Sequence, residues 1–259
     1  MSDMTDKNEK FKRALEVHPQ LHGKLAIHSK LKADSKEALS ILYTPGVAAP
    51  CLEIAQDKEL AYTYTGKGND VAVITDGSAV LGLGNIGPDA AMPVMEGKCL
   101  LFSEFAGINA VPLCVGTQDV DEFVRFVQLA SPSFGGINLE DISSPRCFEI
   151  EKRLRETLNI PVFHDDQHGT AIIVLAGVIN ALEYLGKSAE TASVVINGAG
   201  AAGISIANLL LEYGFTDVTL CDINGAVCEG DDTLNPAQAA MAKRTNRRHA
   251  KGSLKDVLA

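Results

Sequence analysis

The sequence lacks several features that mark particular classes of protein. Its six cysteines stand singly in apolar segments, with no Cys-x-x-Cys pair, which argues against a disulfide scaffold and predicts a reducing compartment. The N-terminal segment is polar and has no signal-peptide core, and the longest apolar run, 171–179, is too short to cross a bilayer. We therefore expect a cytoplasmic protein with no membrane partner.

Positive charge is also scarce. The 259 residues carry a net charge of −10, and the isoelectric point is near 5.1. Nucleic-acid-binding proteins need an excess of clustered Lys and Arg, so nucleic acid is not an expected partner. One basic segment stands near the end, and we interpret it as a solvated polar segment, with a role near an anion as the alternative; its charged residues are Lys243, Arg244, Arg247, Arg248, Lys251 and Lys255.

The remaining composition is that of an ordinary folded protein. Apolar residues make up 46% of the chain and charged residues 22%, both close to the globular average. Strand-like runs of β-branched residues alternate with helical segments, which predicts an α/β fold of two domains, each a parallel sheet flanked by helices. We place the boundary before residue 165, so that 1–164 carries the N-terminal helices and 165–259 begins with a connector helix.

The glycine pattern G-x-G-x-x-G occurs twice, and the second copy fits dinucleotide binding. It follows a strand-like run, precedes a helical segment, and has Asp222 19 residues after its last glycine, as the fingerprint requires. The second domain is thus predicted to be a Rossmann-type domain. Its predicted cofactor-binding residues are Gly198, Gly200, Ala201, Ala202, Gly203 and Asp222.

The first copy fails the same test. Pro88 follows Gly87 directly, and the next predicted strand has no acid at its end. We expect Gly82, Gly84 and Gly87 either to let the backbone approach another group closely or simply to turn a loop.

Two acidic pairs stand at the ends of predicted strands. Glu140 and Asp141 follow one strand, and Asp165 and Asp166 follow another in a predicted acidic turn. Ligands bind at the carboxyl ends of parallel strands, and acids meeting there repel unless a cation or proton intervenes. Oxygen ligands favour Mg²⁺ or Mn²⁺. The alternative is that each pair caps a helix or lies in a solvated turn.

Three other features suggest chemistry. His164 and His168 have the spacing of a zinc pair, although "DDQHG" is more typical of a turn than of a helix. Lys98 and Tyr43 stand among small or apolar neighbours. A lysine in such surroundings can lose its proton near neutral pH, which suits a general base. A solvated lysine and a packed tyrosine are the alternatives.

Six segments together resemble the malic enzymes, particularly the small bacterial type. They occur in the family's order, and the likeness covers about residues 24–259: YTPGVAAPCLEI, VITDGSAVLGLGNIG, PVMEGKCLLF, INLEDIS, FHDDQHGTA and VINGAGAAG. The resemblance implies metal-dependent oxidative decarboxylation of malate to pyruvate and CO₂, with reduction of NAD or NADP.

The resemblance also implies roles for individual residues. Lys98 would be the general base, Tyr43 the general acid, and Asp165 would position catalytic groups. Mn²⁺ or Mg²⁺ would be held by three acids, Glu140, Asp141 and Asp166.

The chain departs from the family pattern in two places. Larger members have an arginine shortly after "TDG", where this chain has Ser78 and Ala79, so a backbone nest at Gly82 to Gly87 is expected to hold the substrate carboxylate. Only 68 residues remain from Ala192 onward, which predicts an incomplete nucleotide domain and a C-terminally truncated chain.

Several functional questions stay open at this stage. Asp222 favours NAD because a carboxylate repels a 2′-phosphate, although nearby basic residues could offset this. A homodimer is the expected assembly. The alternatives to a malic enzyme are a non-catalytic or assembly-dependent nucleotide-binding module, and an amino-acid dehydrogenase-like enzyme that needs no metal.

Overall fold

The computed structural model describes residues 2–258, and side chains from residue 8 onward. The chain begins with helices that contribute little to a core, because α2, α3 and α4 contain no buried residue. The four are α1 (Ser2–Leu21), α2 (Lys36–Leu42), α3 (Ala48–Gln56) and α4 (Ala61–Tyr64).

The first sheet is fully parallel, as predicted, with strand order β2-β1-β3-β4. Its strands are β1 (Asp70–Thr75), β2 (Asn109–Cys114), β3 (Gly136–Leu139) and β4 (Val162–His164). The helices that connect them are α5 (Gly87–Ala106), α6 (Val120–Ala130) and α7 (Arg146–Thr157). Because all four strands run the same way, their carboxyl ends meet at one edge.

Both faces of this sheet are covered near its centre. Ile74 belongs to a core cluster that also contains Phe123 of α6 and Ile150 of α7, whereas its neighbour Val73 packs with Met95 of α5 on the other face. This double burial explains the nearly continuous apolar run in β1, since a parallel strand between two helical layers has no solvent-facing side.

The second sheet has three strands in the order β5-β6-β7, with β5 and β6 parallel and the short β7 antiparallel. The α/β class is confirmed, but this sheet is mixed rather than purely parallel. Its core includes Ala207, Leu210, Val218 and Leu220. The elements are α8 (Asp165–Leu185), β5 (Ser193–Asn197), α9 (Ala201–Tyr213), β6 (Asp217–Asp222), β7 (Gly225–Ala226), α10 (Pro236–Ala242) and α11 (Leu254–Leu258).

Helix α8 links the two sheets, and the predicted acidic turn before it was wrong. The helix begins at Asp165, directly after β4, so the acids form its first turn, where carboxylates are stabilised by the helix dipole. By length and composition this helix could cross a membrane. Because its first turn carries two acids and it packs against α9, we interpret it instead as the helix between the two sheets.

Candidate active site

The acids meet because of strand order. Glu140 and Asp141 directly follow β3, and Asp165 and Asp166 directly follow β4, which is hydrogen-bonded to β3. Two neighbouring parallel strands therefore deliver four carboxyl groups to the same edge of the sheet. Lys98 reaches the group from α5, which covers the adjacent face.

Three of these acids form a compact oxygen cluster. One carboxylate oxygen each from Glu140, Asp141 and Asp166 lies within 4.8 Å of the others. Asp141 is 3% exposed, and its Oδ2 atom has no hydrogen-bond partner among the described residues. A buried carboxylate oxygen without a donor is costly, and an oxygen-rich cluster suits Mg²⁺ or Mn²⁺. The predicted ligands thus fit a divalent cation.

The backbone of Asp141 is held in an unusual conformation. Its φ angle is 53°, in the left-handed region that aspartate tolerates better than most residues. Its N–H donates to Asp166 Oδ2 at 2.9 Å, and its carbonyl accepts from the Ala79 N–H at 2.9 Å. These two bonds aim the Asp141 carboxylate towards Glu140 and Asp166.

Burial and mutual repulsion shift the titration of the cluster. Burial raises the pKa of Glu140 to about 7, although Lys98 and Asn138 oppose the shift. Burial and the charge of Asp166 raise the pKa of Asp141 to about 6. Burial also acts to raise the pKa of Asp166, but His164 and the Asp141 N–H outweigh it and lower that pKa. The raised pKa values of Glu140 and Asp141 mean that a cation binding here would compete with protons.

Lys98 pairs with the acids rather than standing among apolar groups. Its Nζ lies 2.8 Å from Asp165 Oδ2 and 3.1 Å from Glu140 Oε1. Burial lowers the pKa of Lys98, but the hydrogen bond to Asp165 and the charges of both acids raise it overall. The expectation that the apolar surroundings release its proton was therefore wrong for the metal-free protein. Removing those negative charges is what would lower its pKa.

Tyr43 is not brought to this cluster. It follows the last turn of α2 and is 71% exposed, so the interpretation as a packed tyrosine was wrong. Among the described residues, no hydrogen bond joins its side chain to Lys98 or the acids. Its predicted role as general acid stays a prediction.

Arg146 is a site residue that the sequence did not reveal. Its guanidinium donates to the fully buried Asp76 at 2.7 Å and to the hydroxyls of Ser78 and Ser143. The Ser143 N–H also donates to Ser78 Oγ, so the loops after β1 and β3 are joined. Asp76, the lone acid in "ITDG", needs a cationic partner. Nothing in the sequence shows that this partner is Arg146, which comes 70 residues later.

Gln167 contacts His164, which in turn faces the carboxylate of Asp166. His164 is fully buried, and its Nδ1 lies 2.6 Å from Gln167 Nε2, while its Nε2 lies 3.4 Å from Asp166 Oδ2 without another partner. If the ring proton is on Nε2, towards Asp166, the bare Nδ1 accepts from Gln167. We predict that the glutamine favours this tautomer, which in turn favours the charged Asp166.

The zinc alternative was wrong. A helix does run through "DDQHG", but His168 Nε2 lies 2.7 Å from Glu151, and His164 faces Asp166. The two histidines address different carboxylates, so they do not form a shared metal site.

The second glycine motif has the geometry of a phosphate loop. It connects β5 to α9, whose first residue is Ala201, with Ala202 next in the first turn. Gly198 has a φ angle of 130°, and a Cβ on Gly203 would lie 1.8 Å from the Gly198 carbonyl oxygen. The loop and helix can approach this closely only without side chains, which is the geometry that a phosphate at a helix N-terminus would require.

The first glycine motif serves a turn. Gly82, Gly84 and Gly87 all have positive φ angles, but a Cβ added to any of them meets no atom within 4 Å. They supply backbone conformation rather than close approach. The motif also lies well beyond the end of β1 at Thr75, so it lacks the tight strand-to-helix connection of a nucleotide site.

Known families match almost the whole chain. The model of the malic enzyme N-terminal domain matches residues 22–155, and the model of the malic enzyme NAD-binding domain matches residues 167–259. The chain belongs to the malic enzyme family. The predicted resemblance is thereby confirmed, and the second sheet is part of an NAD-binding domain.

Similar malic enzymes are named for both cofactors. The chain is 54% identical to a bifunctional malic/malolactic enzyme of Bacillus subtilis over 95% of its length, which is 60% of that protein. It is 51% identical to an NADP-dependent malic enzyme of Rhizobium meliloti over 91% of its length, or 31% of that protein. The crystal structure of an NAD-dependent malic enzyme from Thermotoga maritima superposes with a TM-score of 0.92 at 48% identity, covering 95% of this chain and 66% of that one. The chain therefore spans less than two thirds of these relatives.

The elevated carboxyl pKa values predict how a cation changes stability. Since Glu140 and Asp141 bind protons more tightly in the folded state than in the unfolded state, metal-free stability should fall as pH rises from about 4 to about 7. Mn²⁺ should raise the melting temperature more at about pH 8 than at about pH 5, because it competes with those protons. Thermal unfolding with and without Mn²⁺ measures both effects.

Two variants control that measurement. Glu140→Gln should flatten the pH dependence and remove most of the Mn²⁺ stabilisation, whereas Glu183→Gln, on the exposed face of α8, should change neither. Equal Mn²⁺ stabilisation of all three proteins would show that the cation binds elsewhere.

The support of Asp166 by His164 predicts a second effect. Gln167→Met keeps the volume but removes the donor to Nδ1, so His164 should populate both tautomers, and Mn²⁺ should bind about tenfold more weakly. Nitrogen-15 NMR of the metal-free ring and Mn²⁺ titration by electron paramagnetic resonance report the two changes. Gln128→Met removes an exposed side-chain bond to Thr157 and should leave both unchanged; an unaltered His164 tautomer in Gln167→Met would contradict the assignment.

Proposed function

We propose that this chain provides the catalytic site of a malic enzyme, which oxidatively decarboxylates malate to pyruvate and CO₂ with reduction of a nicotinamide cofactor. The observation that carries the proposal is the position of Lys98, 3.1 Å from Glu140 at the edge of the three-carboxylate cluster. A base and a cation site at this separation can act on one small hydroxy acid. Family membership and the acids together favour this reaction over that of a metal-free amino-acid dehydrogenase.

The residues divide the chemistry between them. Lys98 accepts the proton of the malate C2 hydroxyl, and Asp165 orients the Lys98 amine through their 2.8 Å contact; a bound nicotinamide would accept the hydride from C2. Glu140, Asp141 and Asp166 would hold Mn²⁺ or Mg²⁺, which would supply Lewis acidity to the substrate. Compensation of the acid charges would lower the pKa of Lys98 towards the range of a general base.

Tyr43 completes the proposal as the general acid that protonates C3 after CO₂ departs. The support for this role is its motif, because its side chain is exposed in the single chain. A homodimer is the assembly that we propose, since the segment around Tyr43 exposes Ile41, Leu42 and Leu52 and contributes no buried residue from its helices. Burying this apolar surface would also take Tyr43 out of solvent.

NAD is the cofactor that we propose. Asp222 ends β6 beside the phosphate loop, where its carboxylate suits ribose hydroxyls and repels a 2′-phosphate. Within the basic segment, Arg248 does not offset it, because it pairs with Asp217 at the opposite end of β6. The six free cysteines further support a reducing, cytoplasmic setting.

Product formation tests the reaction directly. With Mn²⁺, malate and NAD, protein carrying this sequence should form NADH and pyruvate; with oxaloacetate and Mn²⁺ alone, it should release CO₂ faster than free Mn²⁺ does. Lys98→Arg retains the charge but cannot accept the proton, so NADH formation should fall by about 10²-fold or more. Lys187→Arg, on an exposed loop, is the matched control. Absence of both products would favour a non-catalytic nucleotide-binding module.

Cofactor choice is tested at Asp222. Asp222→Asn should reduce the preference for ADP-ribose over its 2′-phosphate by about tenfold, or about 1.4 kcal/mol, as measured by calorimetry. Asp231→Asn makes the same charge change at an exposed turn and should leave the preference unchanged. If both variants lose it equally, net charge rather than the position of Asp222 sets the choice.

Assembly is tested on the exposed N-terminal segment. Leu52→Lys should shift the protein from dimer to monomer in sedimentation velocity, because it places a charge in the proposed interface. Leu129→Lys on α6 alters a leucine of equal exposure, 63%, and should remain dimeric. A monomeric unmodified protein at every concentration would contradict the dimer.

A further inference from the structure

A polar cavity lies away from the catalytic edge. Its volume is about 410 Å³, and its ionisable lining residues are Lys243, Arg247, His249, Lys251 and Glu229. One side of the cavity lies beside the first half of β6, where the Asn246 N–H donates to the Val218 carbonyl, roughly 13 Å along the strand from Asp222. The Lys251 side lies nearer the nucleotide loop, because the next residue, Gly252, accepts from the Ala226 N–H of β7, which pairs with the end of β6.

The cations of this cavity are unpaired. The side chains of Lys243, Arg247 and Lys251 make no hydrogen bond or ion pair with the part of the chain that the structure describes. In contrast, the neighbouring Arg244 donates to Asn208, and Arg248 pairs with Asp217. A chain with net charge −10 has many carboxylates to offer, yet only Glu229 lines this cavity. Three like charges gathered without partners repel one another.

The floor of the cavity is held by buried hydrogen bonds. Thr245 and Asn246 are both buried, at 5% and 4% exposure. The Asn246 side chain donates to the Ala250 carbonyl at 2.9 Å and accepts from the Ala250 N–H at 2.8 Å, while Thr245 Oγ1 donates to the Met241 carbonyl. The loop that carries Arg247, His249 and Lys251 is thus shaped by its own buried bonds, which reduces the entropy cost of binding.

We propose that this cavity binds a small phosphate-bearing anion. Three unpaired cations against one carboxylate leave a surplus of positive charge that matches a dianion, and the Arg247 guanidinium can present two parallel donors to phosphate oxygens. The lining is predominantly polar, which favours a phosphate group over an apolar ligand. This site is independent of the proposed reaction and would give the enzyme a place for an anionic effector.

Calorimetry with inorganic pyrophosphate, on metal-free protein with a chelator present, tests the proposal. Arg247→Gln and Lys251→Gln should each weaken binding at least tenfold. Arg244→Gln removes an equal charge from the same segment, but from a side chain that faces Asn208. The affinity of this variant for pyrophosphate should therefore stay within twofold of that of the unmodified protein. Circular dichroism and melting temperature confirm that each exposed substitution leaves the fold intact.

Three results would overturn the site. The first is that the unmodified protein binds no pyrophosphate at millimolar concentration. The second is that all three variants weaken binding equally, which would indicate diffuse surface charge. The third is that ADP-ribose competes fully with pyrophosphate, which would indicate binding at the nucleotide loop.

The Arg247→Gln/Lys251→Gln double variant shows where the phosphate comes from. If it loses pyrophosphate but not ADP binding, the ligand is a free anion; if it loses part of the ADP binding as well, the ligand is a nucleotide.

Discussion

Mutual repulsion among buried carboxylates is the constraint on which this structure depends. Strands β3 and β4 end side by side, so Glu140, Asp141 and Asp166 meet at one edge of the sheet, where Glu140 and Asp141 are buried and Asp166 is partly exposed. Such a group is stable only if protons, a lysine or a cation compensates it. Protons and a lysine compensate the acids in the structure: the pKa values of Glu140 and Asp141 are raised, and Lys98 forms an ion pair with Glu140. A divalent ion can replace the protons and, by compensating the acids, prepare Lys98 to act as a base.

The sequence was sufficient to predict the α/β class, the acidic cluster and the choice between the glycine motifs, because each depends on local pattern and on where parallel strands end. It misassigned the surroundings of Lys98 and Tyr43, since apolar neighbours in sequence do not specify what a helix faces in space. It also missed Arg146 and Gln167, whose importance comes from Asp76, 70 residues away, and from the buried ring of His164. A partnership across 70 residues leaves no periodic signal, and the sequence does not show that the ring of His164, three residues before Gln167, is buried.

The second sheet shows how one strand can separate two functions. The phosphate loop and Asp222 lie at the carboxyl end of β6, whereas the basic segment is fastened at its other end through Arg248 and Asp217. The carboxyl end of β6 provides backbone groups and the Asp222 carboxylate, which suit a dinucleotide. The unpaired cations of the cavity belong to the segment that is fastened at the Asp217 end. Sequence proximity alone had suggested that the basic residues could modify the choice made by Asp222. Arg248 is held at the other end of the strand, but the chain at Gly252 lies beside β7, which pairs with the end of β6 at Asp222, so the choice of cofactor stays a prediction.

The central claim is that three acids from two neighbouring strand ends hold one divalent cation beside Lys98. Anomalous diffraction from crystals soaked in Mn²⁺ measures it most directly. The account predicts one strong peak within bonding distance of Asp141 Oδ2 and of an oxygen from both Glu140 and Asp166, with the Lys98 amine facing the same space. A peak at any other position, or a Glu140 side chain that turns away from the ion, would contradict it.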